Sequence, residues 1–463
     1  VTLDGHVALA ARHPHDFTVQ YPPRREYARD HFCVPAEGGR VLNALAGAPR
    51  LLLYVHVPFC EARCSYCNFA VDTHGTPERQ VRYVRALVTA LGRLAGAVQP
   101  GVEVPGIDLG GGTPTLLAPP LLEQLLEALR PWAARSRCPW PVSIETTPAV
   151  AAAEPEKMRR LAEGGVQRIS VGVQSTRGAV LEAVRRGAQV DRSERALAVL
   201  RRAGFRRVNA DLIFGLPGQR PVDFAEDVAR VADAGVDSVT TYDCLYRGKG
   251  RALTRATAEL PTPADYARLY DAAYGALTAR GFHAPYGSLN FSRHAGETGT
   301  SPYFEGRLLD GLPYVGVGNY ASTLCGGHWG FAPYAADSWM AQVEGGAVLP
   351  LADLYALPVQ ERVAKQVLLS LSFGRLDPAR FRAAHGVGLE EACGPAVRRA
   401  LEEGWLVEAG GEYRVAPGRF DVLPQLRALF YPPGAVRWLE AHGPSLRPLT
   451  SAGRARPPPA SPR

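Results

Sequence analysis

Tyr54-Val55-His56-Val57-Pro58-Phe59-Cys60-Glu61-Ala62-Arg63-Cys64-Ser65-Tyr66-Cys67-Asn68-Phe69 decides how the rest of the chain is read. The apolar run Leu51–Val57 has the length of one strand, and three cysteines at spacing C-x3-C-x2-C follow at once. Thiolates at that pitch reach three corners of an iron–sulfur cube. A fourth iron then stays open to a ligand from outside the protein, whereas a closed structural metal site takes four protein ligands. A zinc knuckle would need one more donor, and His56 lies too close, on the strand itself, to be a natural one.

Outward from the loop, short apolar strands alternate with helical stretches. Strands are expected at Leu51–Val57, Gly106–Leu109, Val142–Glu145, Arg168–Val173, Val208–Phe214 and Ser238–Leu245. Helices are expected at Pro77–Ala95, Pro119–Ala134, Glu154–Glu163, Gly178–Val184, Ser193–Ala203 and Val222–Ala234. This alternation is the pattern of a parallel sheet with helices outside, and the expectation is an α/β fold built on a partial (β/α)6 TIM-like barrel over 51–285. Such barrels carry their chemistry at the C-terminal strand ends. The cysteine loop follows the first strand, Gly110-Gly111-Gly112-Thr113-Pro114 the second, Glu145 the third, Gln174 the fourth with Arg186 twelve residues on, and Asp211-Leu212-Ile213-Phe214-Gly215 runs along the fifth. Glycines let backbone N–H groups approach a ligand, carboxylates accept from an ammonium or ribose, and the arginine fork suits a carboxylate.

These segments, in this order, resemble the radical SAM superfamily, and within it the family of oxygen-independent coproporphyrinogen III oxidase. The resemblance implies a [4Fe-4S] cluster on Cys60, Cys64 and Cys67. It also implies S-adenosylmethionine contacts from Tyr54, Tyr66, Gly111, Gly112, Thr113, Glu145, Gln174, Arg186 and Asp211. A second S-adenosylmethionine is implied near Asp243 and Ser322, and Asp243 and Tyr320 are the expected catalytic residues. The implied chemistry is electron transfer from the cluster, cleavage of the sulfonium and hydrogen abstraction by a 5′-deoxyadenosyl radical. An electron donor such as flavodoxin or ferredoxin is implied with it. Three branches of the family compete. The oxidase has a further cysteine where this chain has Phe69, and the haem chaperones start without a long arm. The class C methyltransferases, acting on an sp2 carbon of a heteroaromatic or quinone-like small molecule or modified peptide, fit the arm, the loop and Tyr320 best.

The remaining segments are expected as follows. Residues 1–50 form an irregular arm lying across a larger body, with Tyr21-Pro22-Pro23 extended. Residues 286–348, rich in glycine, tyrosine and histidine, form a substrate lid that Tyr314, Tyr320, His328 and Trp329 line. Residues 349–440 form a winged-helix-like domain, helical over Leu354–Leu371, Pro378–Ala383 and Gly394–Glu403 and closed by a hairpin. Residues 441–463 are a basic, proline-rich, disordered tail. Across 463 residues, eight cysteines, five of them scattered outside the loop, do not make a disulfide scaffold and fit a reducing cytoplasm. No apolar run is long enough to span a membrane. The net charge of +7 comes without a basic stripe interleaved with aromatics, so no nucleic-acid partner is expected. A cytoplasmic monomer is the expectation.

Overall fold

The structure is a computed structural model, and it describes residues 2–187, 190–246, 253, 254, 257 and 259–444. Residues 445–463 of the expected tail lie outside the described residues. Residues 1–50 are more ordered than expected: they carry α1 (Leu3–Arg12), α2 (Arg25–Phe32), β1 (Cys33–Val34) and α3 (Gly38–Ala46). The amphipathic faces of these helices are short, so the sequence pattern alone understates them.

The body follows as β2 (Leu52–Val57), α4 (Pro77–Ala97), β3 (Ile107–Gly111), α5 (Pro119–Ala133), β4 (Val142–Thr146), α6 (Pro148–Ala153), α7 (Pro155–Glu163), β5 (Arg168–Gln174), α8 (Gly178–Ala183), α9 (Val190–Arg202), β6 (Arg207–Phe214), α10 (Pro221–Asp233) and β7 (Ser238–Asp243). Proline stands at the first turn of α4, α5, α6, α7 and α10, where its missing N–H costs nothing and its fixed φ starts the helix. Thr76 and Thr147 cap two of these helices through their hydroxyls.

The chain continues through α11 (Pro263–Thr278), β8 (Asn290–Ser292), α12 (Pro302–Leu308), β9 (Tyr314–Val317), β10 (Ser322–Cys325), β11 (His328–Phe331), α13 (Ala336–Glu344) and β12 (Asp353–Ala356). Here the structure corrects the expectation of a lid. β9 pairs in parallel with β2, and β10, β11, β12 and β1 extend the sheet antiparallel beyond it. The parallel run is therefore β9-β2-β3-β4-β5-β6-β7, one strand more than the six read from sequence. Tyr314 is buried beside Leu52, and His328 and Trp329 lie in β11 paired to β12, so these three belong to the sheet and do not line a lid.

The parallel strands curl. In a flat sheet, with neighbours about 4.8 Å apart, β7 would stand roughly 19 Å from β3. Yet Tyr242 on β7 feels the charge of Asp108 on β3 and of Glu145 on β4. Along each strand the outer residues, such as Leu53, Val55, Leu109, Ile144, Ile169, Val208 and Val239, are buried under the helices. The inner ones are polar: Tyr54, Asp108, Glu145, Arg168, Ser170, Asn209, Asp211, Thr240 and Tyr242. The result is a partial barrel with an apolar outside and a polar hollow.

The C-terminal part comprises α14 (Val359–Ser370), β13 (Arg375–Leu376), α15 (Pro378–His385), α16 (Leu389–Glu402), β14 (Leu406–Ala409), β15 (Glu412–Val415), α17 (Leu423–Leu429) and α18 (Pro433–His442). β13-β15-β14 form a separate three-stranded sheet, and the order from α14 to β15 is that of a winged helix. The expected helix at Leu354 begins only at Val359, because Leu354 and Tyr355 pair with β11 and β1.

The arm is clamped to this C-terminal part. The hydroxyls of Tyr21 and Tyr27 both donate to Glu361 on α14, which is 1% exposed, the second at 3.0 Å. Lys365 Nζ donates to Tyr21 O at 2.6 Å, Tyr431 OH to Thr18 O at 3.0 Å and Trp438 Nε1 to Asp30 at 2.9 Å. Burial pushes the Glu361 carboxyl up, and the two phenols oppose the shift by donating to its anion. Glu361→Ala strands two buried phenols. Denaturant unfolding is expected to show a loss of about 2–4 kcal/mol, with faster proteolysis between the first two arm helices. Unchanged stability and proteolysis would show that the clamp does not hold the arm.

Candidate cluster and cofactor site

β2 delivers the cysteine loop and β3 the glycine loop, and the backbone staples one to the other. Gly112 N–H donates to Val57 O and Thr113 N–H to Phe59 O, both at 2.8 Å. Cys60 N–H donates to Asp72 O at 3.0 Å, and Asp72 N–H returns to Pro58 O at 2.8 Å. Ser65 N–H reaches Val184 O at 3.1 Å, tying the loop to the end of α8. These contacts explain the glycines. A Cβ on Gly112 would fall 2.5 Å from Pro58 O, and Gly111 has φ +113 with the His56 ring 2.4 Å from where its Cβ would be.

Cys60, Cys64 and Cys67 are half-buried, and no cysteine of the chain is in a disulfide. Burial pushes the Cys60 thiol up to about 11, with the Thr113 hydroxyl, 3.7 Å from its Sγ, pulling the other way. Arg186 Nη1 stands 3.6 Å from Cys64 Sγ and donates to Tyr66 OH at 2.9 Å, while Nη2 donates to Gly172 O. A guanidinium there offsets the charge that bound thiolates would bring. Among the described residues no three His, Cys, Asp or Glu side chains converge on a point as ligands of a single metal ion. Three thiols carried on one short loop are a donor set of the kind an iron–sulfur cube takes.

Tyr54, Glu145, Gln174 and Asp211 face the hollow beside this loop. Gly111 N–H donates to Glu145 Oε2 at 3.2 Å, and a side chain on Gly110 would collide with that carboxylate. Ser170 and Asn209 donate to Asp211 at 2.7 and 2.9 Å. Gln174 has φ +70, strained for a residue with a side chain, and its Oε1 is buried with no partner. Burial and the neighbouring Asp211 push the Glu145 carboxyl up to about 8; burial likewise raises Asp211, and Asp108 to about 7. Crowded buried carboxyls raised in this way are the setting a cationic ligand relieves. The donor set, the glycine cradle and the unpaired Gln174 oxygen therefore fit S-adenosylmethionine, a sulfonium with an ammonium and a ribose.

The structure thus brings together the three cysteines, Tyr54, Tyr66, Gly111, Gly112, Thr113, Glu145, Gln174, Arg186 and Asp211. It places the other expected residues elsewhere. Tyr320, at φ +60, sits on the turn after β9, and its ring packs against Tyr334 at 5.1 Å. A Cβ on Gly318 in that turn would fall 2.5 Å from His56 O, so the turn lies against the end of β2 that launches the cysteine loop. Ser322 opens β10 opposite Phe331. Asp243 ends β7, and strand alternation turns it away from the hollow: Tyr242, not Asp243, faces Asp211 and Glu145.

Two residues escaped the reading by motif. Tyr242 is 43% exposed inside the barrel and pairs in register with Ile213, making a flat apolar ledge next to Asp211. His56 is a strut: one ring nitrogen bonds Ala70 O at 2.9 Å, the other meets Tyr54 OH at 3.3 Å, and burial holds the ring neutral by pushing it down to about 4. His56 shares strand parity with Tyr54, a period-two signal that the sequence does carry, whereas Tyr242 alternates with the named Asp243 and is placed only by its pairing with β6.

Comparison with known proteins agrees with this site. Residues 54–231 match the Radical SAM superfamily. The chain is 32% identical over 343 residues to the heme chaperone HemW of Mycobacterium tuberculosis, covering 72% of this chain and 84% of that protein. It is 30% identical over 278 residues to the oxygen-independent coproporphyrinogen III oxidase of Paracoccus denitrificans, spanning 60% of that protein's length. The solved structure of coproporphyrinogen III oxidase (HemN) from Escherichia coli superimposes with a TM-score of 0.70 at 23% identity, over 86% of this chain and 94% of that one, which shows a shared fold. The three-thiol loop at the rim of a curled parallel sheet and these relatives together make the chain a member of the radical SAM superfamily, in the family that holds the oxygen-independent coproporphyrinogen III oxidases and the HemW haem chaperones.

Proposed function

We propose that Cys60, Cys64 and Cys67 hold a [4Fe-4S] cluster and that the hollow beside it binds S-adenosylmethionine for radical chemistry on an organic substrate. The observation that carries this reading is the meeting of three thiols with Glu145, Gln174, Arg186 and Asp211 in one polar hollow. When bound, the cluster supplies an electron and an open iron for reductive cleavage of the sulfonium. The glycine loop offers backbone to the amino-acid end of the cofactor. Glu145 and Asp211 accept from its ammonium and ribose, and the Tyr242–Ile213 ledge receives the flat adenine. His56 and Thr113 keep the cysteine loop in place. The electron comes from a donor such as flavodoxin or ferredoxin.

Within that chemistry we favour methyl transfer to an sp2 carbon of a heteroaromatic or quinone-like substrate, with a second S-adenosylmethionine as donor near Ser322 and Tyr320 on the substrate side. Phe69 supports this against the oxidase, standing 52% exposed where the resembled oxidase has a further cysteine. Haem delivery is the second reading, supported by the extent of the match to the HemW relative. Asp243, facing away from the hollow, has no part in either.

Anaerobically reconstituted and reduced protein is expected to form 5′-deoxyadenosine, and Cys60→Ala to lose both the iron and this activity, by about a thousandfold or more. With methyl-labelled cofactor and candidate substrates, S-adenosylhomocysteine is expected; stable haem binding without it would instead establish the second reading. A further prediction concerns pH. The Glu145 carboxyl is raised to about 8 in the ligand-free protein, so it holds its proton at neutral pH, and a bound cation favours its release. Affinity for S-adenosylmethionine is therefore expected to rise about tenfold between roughly pH 6.5 and 8.5 and then level off. Glu145→Gln should flatten the profile in equilibrium dialysis, and a flat wild-type profile would contradict this role.

A further inference from the structure

Beyond β9 the two faces of the sheet are covered unequally. Thr323, Cys325 and Gly330 are buried on one face, while Ser322, Leu324, Trp329 and Phe331 on the other are half-buried. Register decides which face this is. Tyr314 pairs with Leu52 and with Leu324, and Leu324 pairs with Trp329, so these side chains stand on the side of the sheet that Tyr54 takes two residues after Leu52. The half-buried face is therefore continuous with the wall of the cofactor hollow. Tyr54 joins the two, since Glu145 of the hollow and Arg307 of α12 both act on its hydroxyl.

This face carries donors without acceptors. Arg307 Nε, Tyr314 OH and the Trp329 indole N–H are buried and have no hydrogen-bond partner among the described residues. The Arg307 guanidinium lies 4.3 Å over the Tyr314 ring, and its Nη1 donates to Tyr303 OH at 3.3 Å. No carboxylate pairs with it among the described residues. Asp108 feels its charge, but one oxygen of Asp108 is taken by the Ser301 hydroxyl at 2.7 Å and the other is itself without a partner. Lys365 is a second buried cation: its Nζ stands 4.5 Å over the Trp329 ring and donates to Tyr21 O at 2.6 Å. Burial, and after it the charge of Arg307, pushes this amine down to about 7. Arg25, stacked over Phe331, is already met by Asp353. Two cations that repel each other beside unused donors are a setting that an anion relieves.

We propose that this face receives the substrate, and that the substrate is an aromatic carboxylic acid whose ring lies along Leu324, Trp329 and Phe331 and whose carboxylate pairs with Arg307. A planar guanidinium fork suits a carboxylate and fixes the direction of the ring attached to it. The proposal rests on the reading of the hollow as the cofactor site, and it narrows the substrate from any heteroaromatic or quinone-like ring to one that bears an anionic group. The competing occupant is a water bridging Arg307 to Asp108, which would make Arg307 a structural residue and give no preference for a charged ligand.

The test uses the full reconstituted chain with S-adenosylmethionine saturating, and reads binding by calorimetry. Indole-2-carboxylate, its neutral analogue indole-2-carboxamide and the non-aromatic cyclohexanecarboxylate are the probes. Indole-2-carboxylate is expected to bind at least tenfold more tightly than either of the others. Arg307→Gln should weaken it about tenfold and leave the carboxamide unchanged, while Arg307→Lys, which keeps the charge and loses the fork, should fall between. Iron content and S-adenosylmethionine affinity check that each variant is folded; should Arg307→Gln fail that check, the ratio of carboxylate to carboxamide affinity in Arg307→Lys decides. Absence of saturable indole-2-carboxylate binding, equal affinity for carboxylate and carboxamide, or an unchanged ratio in a folded Arg307 variant would each overturn the proposal. Formation of 5′-deoxyadenosine is measured in the same preparations. Protein that forms it without binding the carboxylate overturns this assignment alone, and protein that binds the carboxylate without forming it overturns the catalytic reading alone.

Discussion

Two backbone hydrogen bonds, from Gly112 to Val57 and from Thr113 to Phe59, press the glycine loop onto the cysteine loop, and the site is assembled around that contact. Neither loop has a regular secondary structure of its own. Each takes its shape from the strand end that launches it and from the neighbour it touches. The close approach leaves no room for a side chain at Gly112 and requires a positive φ at Gly111. The cysteines therefore stand at a fixed height above the hollow, against the backbone of the glycine loop.

The second governing feature is electrostatic. The hollow collects Asp108, Glu145 and Asp211 around Arg168, with Arg186 above and Arg307 below. Burial makes three carboxylates costly and pushes all three upward, Glu145 to about 8. The polar lining is thus poor for stability and suited to a charged cofactor, which is the usual balance at a binding site. Stability comes from the outer faces of the same strands, packed without exposure beneath the helices; each such buried aliphatic side chain contributes about 1.5–3 kcal/mol.

The arm and the C-terminal helices are pinned to each other. Tyr21, Tyr27 and Lys365 join them through buried polar contacts that water would otherwise contest. The arm touches both ends of the parallel run. Arg25 stacks over Phe331 at 4.0 Å and over Tyr320 at 5.7 Å near β9, while His15 meets Tyr266 edge-on near β7. Its position links the Tyr320 turn to the start of α11.

Much of this was legible in the residues. The cysteine spacing, the GGG loop, the strand–helix alternation and the polar strand ends at Glu145, Gln174 and Asp211 are local patterns, and the fold uses them where the chain order placed them. Proline at the first turns marked most helices for the same reason. What local pattern could not carry was the partnering of distant segments. β9 reads as a glycine-rich loop until it is set beside β2. Leu354 and Tyr355 read as the start of a helix until β11 and β1 claim their backbone. Asp243 and Tyr242 are neighbours in sequence, and only the curl of the sheet decides that the tyrosine enters the hollow and the carboxylate leaves it. The sequence by itself determined the chemistry of the loop, because ligand type and spacing are covalent facts. The tertiary structure alone decided which side chains share the space beside it, because that depends on strand parity and on pairings hundreds of residues apart.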